Sequence, residues 1–316
     1  MADQRPSPAA DLRARLRLPV MAGPMFIAST ADLVIAQCTS GIVGAMPALN
    51  PRSTAALDED IARIREAVGD APYCINLVAH ASNDRLEADL DVVLRHKVPI
   101  VVLALAANPD LVRTLQANGS LVFQDVVKDR HARKCAEMGV DGIIAVGAGA
   151  GGHTGALSPF ALAAEIREWW DGLLILSGCI ATGRAVLAAE VLGADLAYIG
   201  SPFLASTEAN TQDGFKQMIV DSAAADIVTT NCFTGVDANF LLPSILANGL
   251  DPAELKRPEG AAINIKGGGS NQKAWRDIWS AGQGIGAIKR VESATAYIDR
   301  LAEDYAAARR AMRMPA

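Results

Sequence analysis

Apolar residues along this chain fall into short, nearly unbroken runs, and amphipathic stretches separate them. Eight runs stand out: Leu18–Gly23, Gly41–Pro47, Pro72–Ala79, Pro99–Ala106, Ser120–Val126, Asp141–Gly147, Gly172–Gly178 and Asp195–Ser201. Each is about as long as one strand and shows no polar alternation, which is the pattern of strands buried on both faces of a parallel sheet. The stretches between them read as helices. "TADLVIAQCTSG" and "STAALDEDIARIREAVG" end on glycine stops, and "RLEADLDVVLRHK" ends on basic residues.

Two segments repeat one plan. "RHARKCAEMGVDGIIAVG" and "GRAVLAAEVLGADLAYIG" each run helix, glycine, small apolar residue, Asp, strand, glycine. Helix-to-strand units of this kind build α/β folds. Eight strands with seven intervening helices predict a (β/α)8 TIM barrel rather than an open doubly wound sheet. The rhythm breaks after "IGSPFLAS". Residues 207–273 read as an inserted, mainly helical capping domain, ending in the loop "IKGGGSNQKAW". Residues 1–206 and 274–316 then form the barrel, and "IGAIKRVESATAYIDRLAEDYAAARRAMR" is its last helical region.

Composition narrows the classes. Of 316 residues, 51% are hydrophobic and 20% charged, enough for a large core and unlike a disordered chain. The net charge of -6 argues against sequence-independent nucleic-acid binding, which needs a basic surface. Five cysteines lie far apart with no CxxC pair and no metal-ligand spacing, so they read as free thiols. No apolar run approaches the ~18 residues of a spanning helix. The first residues are charged and carry no apolar signal-peptide core. These features predict a soluble cytoplasmic protein without a membrane partner.

In a barrel, chemistry sits where strands end and helices begin. Gly178 and Cys179 follow the seventh run, and Gly200 and Ser201 the eighth. Glycines there let backbone N–H groups face an anion, with a helix N-terminus behind them. Two such turns, after these two strands, predict a phosphate site. His153 follows the sixth run in "VGAGAGGHTGALSPF", where Gly147, Gly149, Gly151 and Gly152 permit close backbone approach. Ser158 there reads as a helix N-cap before Pro159. A histidine with a near-neutral pKa can exchange protons with a substrate. Asn76 and Gln124 end the third and fifth runs, and their amides suit a heterocycle's edge. Gly23 and Met25 follow the first run. Cys179 has no neighbour in sequence that would activate it as a nucleophile. "KGGGS" lacks the order of a phosphate-binding P-loop.

Together these residues resemble the nitronate monooxygenase family, formerly the 2-nitropropane dioxygenases. The resemblance rests on "PVMAGPM", "INL", "GAGGHTG", "LSGCIATGRAVLAAEVLGADLAYIGSPF" and "WSAGQGIG", which span nearly the whole chain. It implies an FMN-binding barrel with a smaller domain formed largely by an insertion. It implies His153 as the catalytic base or a neighbour of the reactive flavin face. It implies phosphate turns at Gly178–Cys179 and at Tyr198, Ile199, Gly200 and Ser201. Asn76, Gln124, Gly151, Gly23 and Met25 match positions around the flavin, and Gln283 matches one near the entrance. Three positions depart from the family pattern: Val146 stands for Gln, Gly149 for Glu, and Cys179 for the second glycine of an "SGG" turn. The implied activity is oxidation of alkyl nitronates or nitroalkanes with O2. The alternatives are an NAD(P)H-dependent reductase of quinones or enoyl thioesters, and a flavin- or phosphate-binding barrel without turnover.

Overall fold

The computed structural model describes residues 8–80, 82–105, 108–255 and 275–313; the "KGGGS" run lies outside them. Each of the eight apolar runs contains a strand. They are β1 (Val20–Ala22), β2 (Gly44–Pro47), β3 (Tyr73–Val78), β4 (Ile100–Ala104), β5 (Leu121–Val126), β6 (Gly142–Val146), β8 (Leu173–Ser177) and β9 (Leu196–Ile199). β7 is the short strand Gly152–His153. All eight pair in parallel, in the order β1-β9-β8-β6-β5-β4-β3-β2. A parallel bridge between Met21 and Val43 joins the two ends, with Ala22 N–H donating to the Val43 carbonyl at 2.8 Å. The sheet is therefore a closed eight-stranded barrel, and the intervening helices wrap it.

The repeated plan has a structural use. Asp141 accepts the Val122 N–H at 2.8 Å, and Asp195 accepts the Leu174 N–H at 2.8 Å. Each aspartate ties the start of its own strand to the strand before it. Gln116 braces the first carboxylate and Arg167 the second, at 2.9 and 2.6 Å. Replacing Asp195 with alanine strips a charged hydrogen bond from Arg167 and leaves the Leu174 N–H unpaired. The expected cost is about 2 kcal/mol, read as a lower urea midpoint with an unchanged slope.

The alternation of faces follows from one glycine. A side chain at Gly44 would strike Val34 and Cys38 of the outer helix Ala31–Thr39, so Gly44 faces outward. Ala45 then faces the lumen, and the register carries that face round the barrel. Ala45 pairs with Cys74, Asn76 with Val102, Val102 with Phe123, and Asp125 with Ile144. Val146 pairs with Ser177, Ser177 with Tyr198, and Tyr198 with Met21. The lumen is thus plugged by buried Val102, Phe123, Ile144 and Ile175. Asn76, Asp125, Ser177 and Tyr198 form a polar collar above this plug, at the strands' C-terminal ends.

The inserted segment carries helices at Asp213–Asp221 and Leu242–Ala247 together with strands β10 (Ile227–Thr230) and β11 (Ala238–Leu241). These two strands form an antiparallel hairpin, and β11 also pairs with β7. Phe233, Ala238, Phe240 and Ile245 make a small core there, joined by Ile278 from the segment that follows. A second cluster, including Leu204, Phe215, Ile219, Leu241 and Ile285, binds the segment to the barrel. No helix among the described residues is long and apolar enough to cross a membrane.

Candidate active site

The turns after β8 and β9 face each other across a cleft. It is lined by Gly149, Ala150 and Gly151 from the β6 side, by Ser177 to Ile180, by Tyr198, Gly200 and Ser201, and by Gly282 and Gly284. Its walls are mainly backbone. The N–H groups of Gly151, Gly178, Cys179, Ile180 and Gly200 donate to no other group among the described residues. Unpaired N–H groups gathered on a concave surface are an anion site. No arginine or lysine lines it, so the attraction comes from peptide dipoles. A side chain on Gly151 would lie 3.0 Å from Gly282 N and fill the space. Gly178, with φ +132, holds a backbone shape that glycine alone adopts readily.

A third segment clamps this cleft. Gly282 N–H donates to Ser201 Oγ at 2.8 Å, and Gln283 N–H donates to the Gly149 carbonyl at 2.9 Å. Gln283 sits beside Cys179, with Oε1 3.8 Å from Sγ. Cys179 itself has φ +60, an uncommon conformation for a residue with a side chain. Burial pushes its thiol pKa up, so it remains a thiol near neutrality and has no nucleophilic activation. A side chain on Gly149, where φ is +81, would lie 2.3 Å from Cys179 Sγ. Two of the positions that depart from the family pattern therefore occupy one volume.

The remaining residues singled out from sequence divide cleanly. Gly23 approaches Gly200 backbone-to-backbone, and its N–H donates to the Ile199 carbonyl at 2.8 Å. Met25 packs against the same turn. Ile199 is fully buried, and its side chain points away from the lumen, so its part is played by its backbone. Asn76 reaches the collar, where its Nδ2 donates to the Val102 carbonyl at 3.2 Å. Burial pushes the Tyr198 phenol pKa well up, which leaves it a hydrogen-bond donor. Gln124 is not brought to this group. It pairs with Leu103 and Ile143 on the helix-facing side, and its neighbour Asp125 takes the lumen face instead.

His153 stands apart from the cleft walls, two residues beyond Gly151 along the same backbone. It lies on β7 rather than in a free loop. Its partner across the ladder is Ala238, and Thr154 N–H donates to the Asp237 carbonyl at 3.0 Å. Gly152 N–H donates to Ser280 Oγ, which donates in turn to the Asn239 carbonyl at 2.5 Å. Asn239 Nδ2 donates to the Ala150 carbonyl at 2.7 Å. The whole glycine loop is thus stitched to the inserted segment. The imidazole meets the edge of Trp275 at 5.7 Å, and Trp275 stacks on Phe240. The ring nitrogens have no hydrogen-bond partner among the described residues, and burial pulls the His153 pKa below the usual imidazole value. The lowered pKa favours the neutral ring, whose lone pair can accept a proton. Ser158 does precede the helix Pro159–Arg167, but its side chain makes no capping bond.

Sequence reading missed Trp275, Asn239 and Ser280, which come from the β10–β11 hairpin and the segment after it. Among the described residues no group of His, Cys, Asp and Glu could hold a metal ion.

Comparison with known proteins adds three likenesses. A putative monooxygenase, Rv1533, of Mycobacterium tuberculosis is 31% identical over 242 residues, 72% of this chain and 64% of that protein. The match thus spans a little under two thirds of that relative's length. The (3aS,4S,5R,7aS)-5-hydroxy-7a-methyl-1-oxo-octahydro-1H-indene-4-carboxyl-CoA dehydrogenase of the same organism is 28% identical over 271 residues, 82% of this chain and 73% of that protein. A crystal structure of a nitroalkane oxidase from Streptomyces ansochromogenes superposes with a TM-score of 0.80 at 23% identity, covering 96% of this chain and 99% of that one. It shares the barrel fold. The family profile described as nitronate monooxygenase matches residues 80–304, which include the β6 loop, His153 and both glycine turns. The chain is an enzyme of the nitronate monooxygenase family, built on a flavin-dependent oxidoreductase scaffold.

Proposed function

We propose that the protein binds FMN and oxidises alkyl nitronates or nitroalkanes with O2. The observation that carries this reading is the glycine loop, whose one end lines the anion cleft and whose other end presents an unpaired, neutral His153. A phosphate-bearing flat cofactor fits this arrangement, because the free N–H groups suit its phosphate and bare backbone leaves space beside it. The residues that would hold it are Gly151, Gly178, Cys179, Gly200 and Ser201 at the phosphate, with Gly23, Met25, Asn76 and Tyr198 around the ring. Bound FMN supplies the electron transfer between substrate and O2.

The chain's own part is proton control and positioning. With a neutral nitroalkane, His153 takes the α-proton onto an imidazole nitrogen; the C–H electron pair moves into the nitro group and leaves a nitronate. With an anionic nitronate no proton needs removal, and His153 orients the substrate. The described part of the inserted segment, residues 207–255, acts as a cap over this site. Trp275, itself stacked on Phe240, meets the imidazole edge-on along one side.

A second reading is redox chemistry on an acyl-CoA or other thioester, with NAD(P)H as partner. The 28% identity with a carboxyl-CoA dehydrogenase over 82% of this chain favours it. One pair of measurements separates the two. On purified yellow protein, O2 uptake with a primary nitronate is the expected result, with slow anaerobic bleaching by NADH or NADPH. Rapid bleaching by a nicotinamide without nitronate turnover would reverse the order of the readings.

A further inference from the structure

The turn that follows β1 carries a side chain that the mechanism above does not use. Phe26 is 52% exposed and packs in none of the apolar clusters among the described residues. It stands at the catalytic end of the barrel, between two parts of the site. Met25 before it lies against Gly200, whose turn lines the anion cleft. Ala28 after it packs with Leu204, Phe215, Ile219 and Leu241, in the cluster that binds the cap to the barrel. The residue between, Ile27, has φ +68. A β-branched side chain rarely tolerates that conformation, which turns usually assign to glycine or asparagine.

The strained turn is held from several sides. Asn50, from the loop after β2, uses its whole amide on it. Its Oδ1 accepts the Ile27 N–H at 2.9 Å, and its Nδ2 donates to the carbonyls of Met25 and Ser29 at 3.0 and 2.8 Å. From the opposite side, Asn210 Nδ2 donates to the Ile27 carbonyl at 3.3 Å. The Asn50 loop is itself fixed. Arg85 donates to the Ala48 and Pro51 carbonyls at 3.3 and 2.8 Å and pairs with fully buried Asp89 at 3.0 Å. Backbone strain persists only where the surroundings over-determine it, and it gathers at ligand clamps. What this turn holds in place is an uncovered phenyl ring beside the cleft, and such a ring gains most when an apolar group covers it.

We propose that Phe26 is a specificity-determining residue and Asn50 the residue that positions it: the ring forms an apolar wall for the hydrocarbon chain of the substrate, so longer chains bind more tightly. The proposal rests on the nitronate reading above for the charged head of the substrate. It adds the part that reading leaves open, the tail.

The test is calorimetric binding of n-alkyl carboxylates, from propanoate to heptanoate, to FMN-loaded protein. Carboxylates are planar anions of nitronate shape, and their binding asks for no electron transfer. The wild type should bind about two- to fourfold more tightly per added methylene, the worth of burying a CH2 group. Phe26→Ala should flatten this series, and Phe26→Leu should keep most of it. Asn50→Ala should flatten it too, and adding Ile27→Gly should restore it, because glycine holds φ +68 without help. Asn50→Asp keeps the acceptor and loses both donors; it should give an intermediate slope and serves if Asn50→Ala does not fold. Equal slopes in wild type and Phe26→Ala, or no rise along the series in the wild type, would overturn the proposal. So would loss of FMN from Phe26→Ala, since that marks a contact with the cofactor instead of the substrate. A wild-type slope in both Asn50 variants would overturn the positioning role. A rising series without O2 uptake on any nitronate would overturn the nitronate reading and leave the Phe26 wall in place.

Discussion

His153→Asn is expected to keep its bound flavin and lose about 10²–10⁴-fold in turnover of neutral nitroalkanes, the usual worth of a positioned base. Asparagine preserves size and polarity at β7 and cannot take a proton. The loss should be much smaller with pre-formed nitronates, from which no proton is removed. The pH profile gives a second check. The His153 pKa is lowered by desolvation, so wild-type activity on neutral substrates should rise with pH through a value below the ordinary imidazole pKa and level off above it. The variant should lack that rising limb. Oxygen uptake between about pH 5 and 8, the range in which imidazoles titrate, measures both. Equal rates for wild type and variant on a neutral nitroalkane would remove His153 from the proton transfer.

Gly149→Glu should cripple cofactor retention, although it restores the residue of the family pattern. The new Cβ would lie 2.3 Å from Cys179 Sγ and 2.8 Å from Gln283 Oε1, on a backbone with φ +81. Overpacking of this kind costs about 1–3 kcal/mol, and each 1.4 kcal/mol is about tenfold in affinity. FMN should therefore bind about 5- to 150-fold more weakly. Adding Cys179→Gly empties the contested volume and also relieves the positive φ at that residue. The double variant should recover much of the loss, with a coupling of about 1–3 kcal/mol in a double-mutant cycle. Flavin fluorescence titration of the four proteins reads it directly. Additive losses would mean that the two sites do not share space.

Much of the scaffold is legible in the chain. Eight apolar runs mark eight barrel strands, because parallel strands buried on both faces admit few polar residues. The same property hides which side chain faces inward. In "LVFQDV" nothing alternates below Gln124, so the run suits either phase, and a one-residue slip exchanges Gln124 for Asp125. The registers fix that phase only once all eight strands are closed. The hairpin of the cap was also hidden. "IVTT" and "ANFL" are four residues each, and β7 is two, too short for any periodic signal. The glycine turns were readable because positive φ and close approach restrict composition locally. The meeting of Gly149 with Cys179 was not readable, because it joins loops thirty residues apart through the curvature of the barrel.

The pairing of β7 with β11 bears on how this enzyme could be rebuilt. Exchanging the inserted segment for that of a relative looks like a modular graft onto an independent barrel. Here the strand that carries His153 takes its backbone partners from Ala238 and Asn239. A transplanted cap would need matching hydrogen-bond donors and acceptors along residues 150–154, or it would arrive with a misaligned imidazole. The unit of exchange is therefore the hairpin together with the β6 loop. With His153 as the proposed base, substrate range and proton transfer would have to be redesigned together.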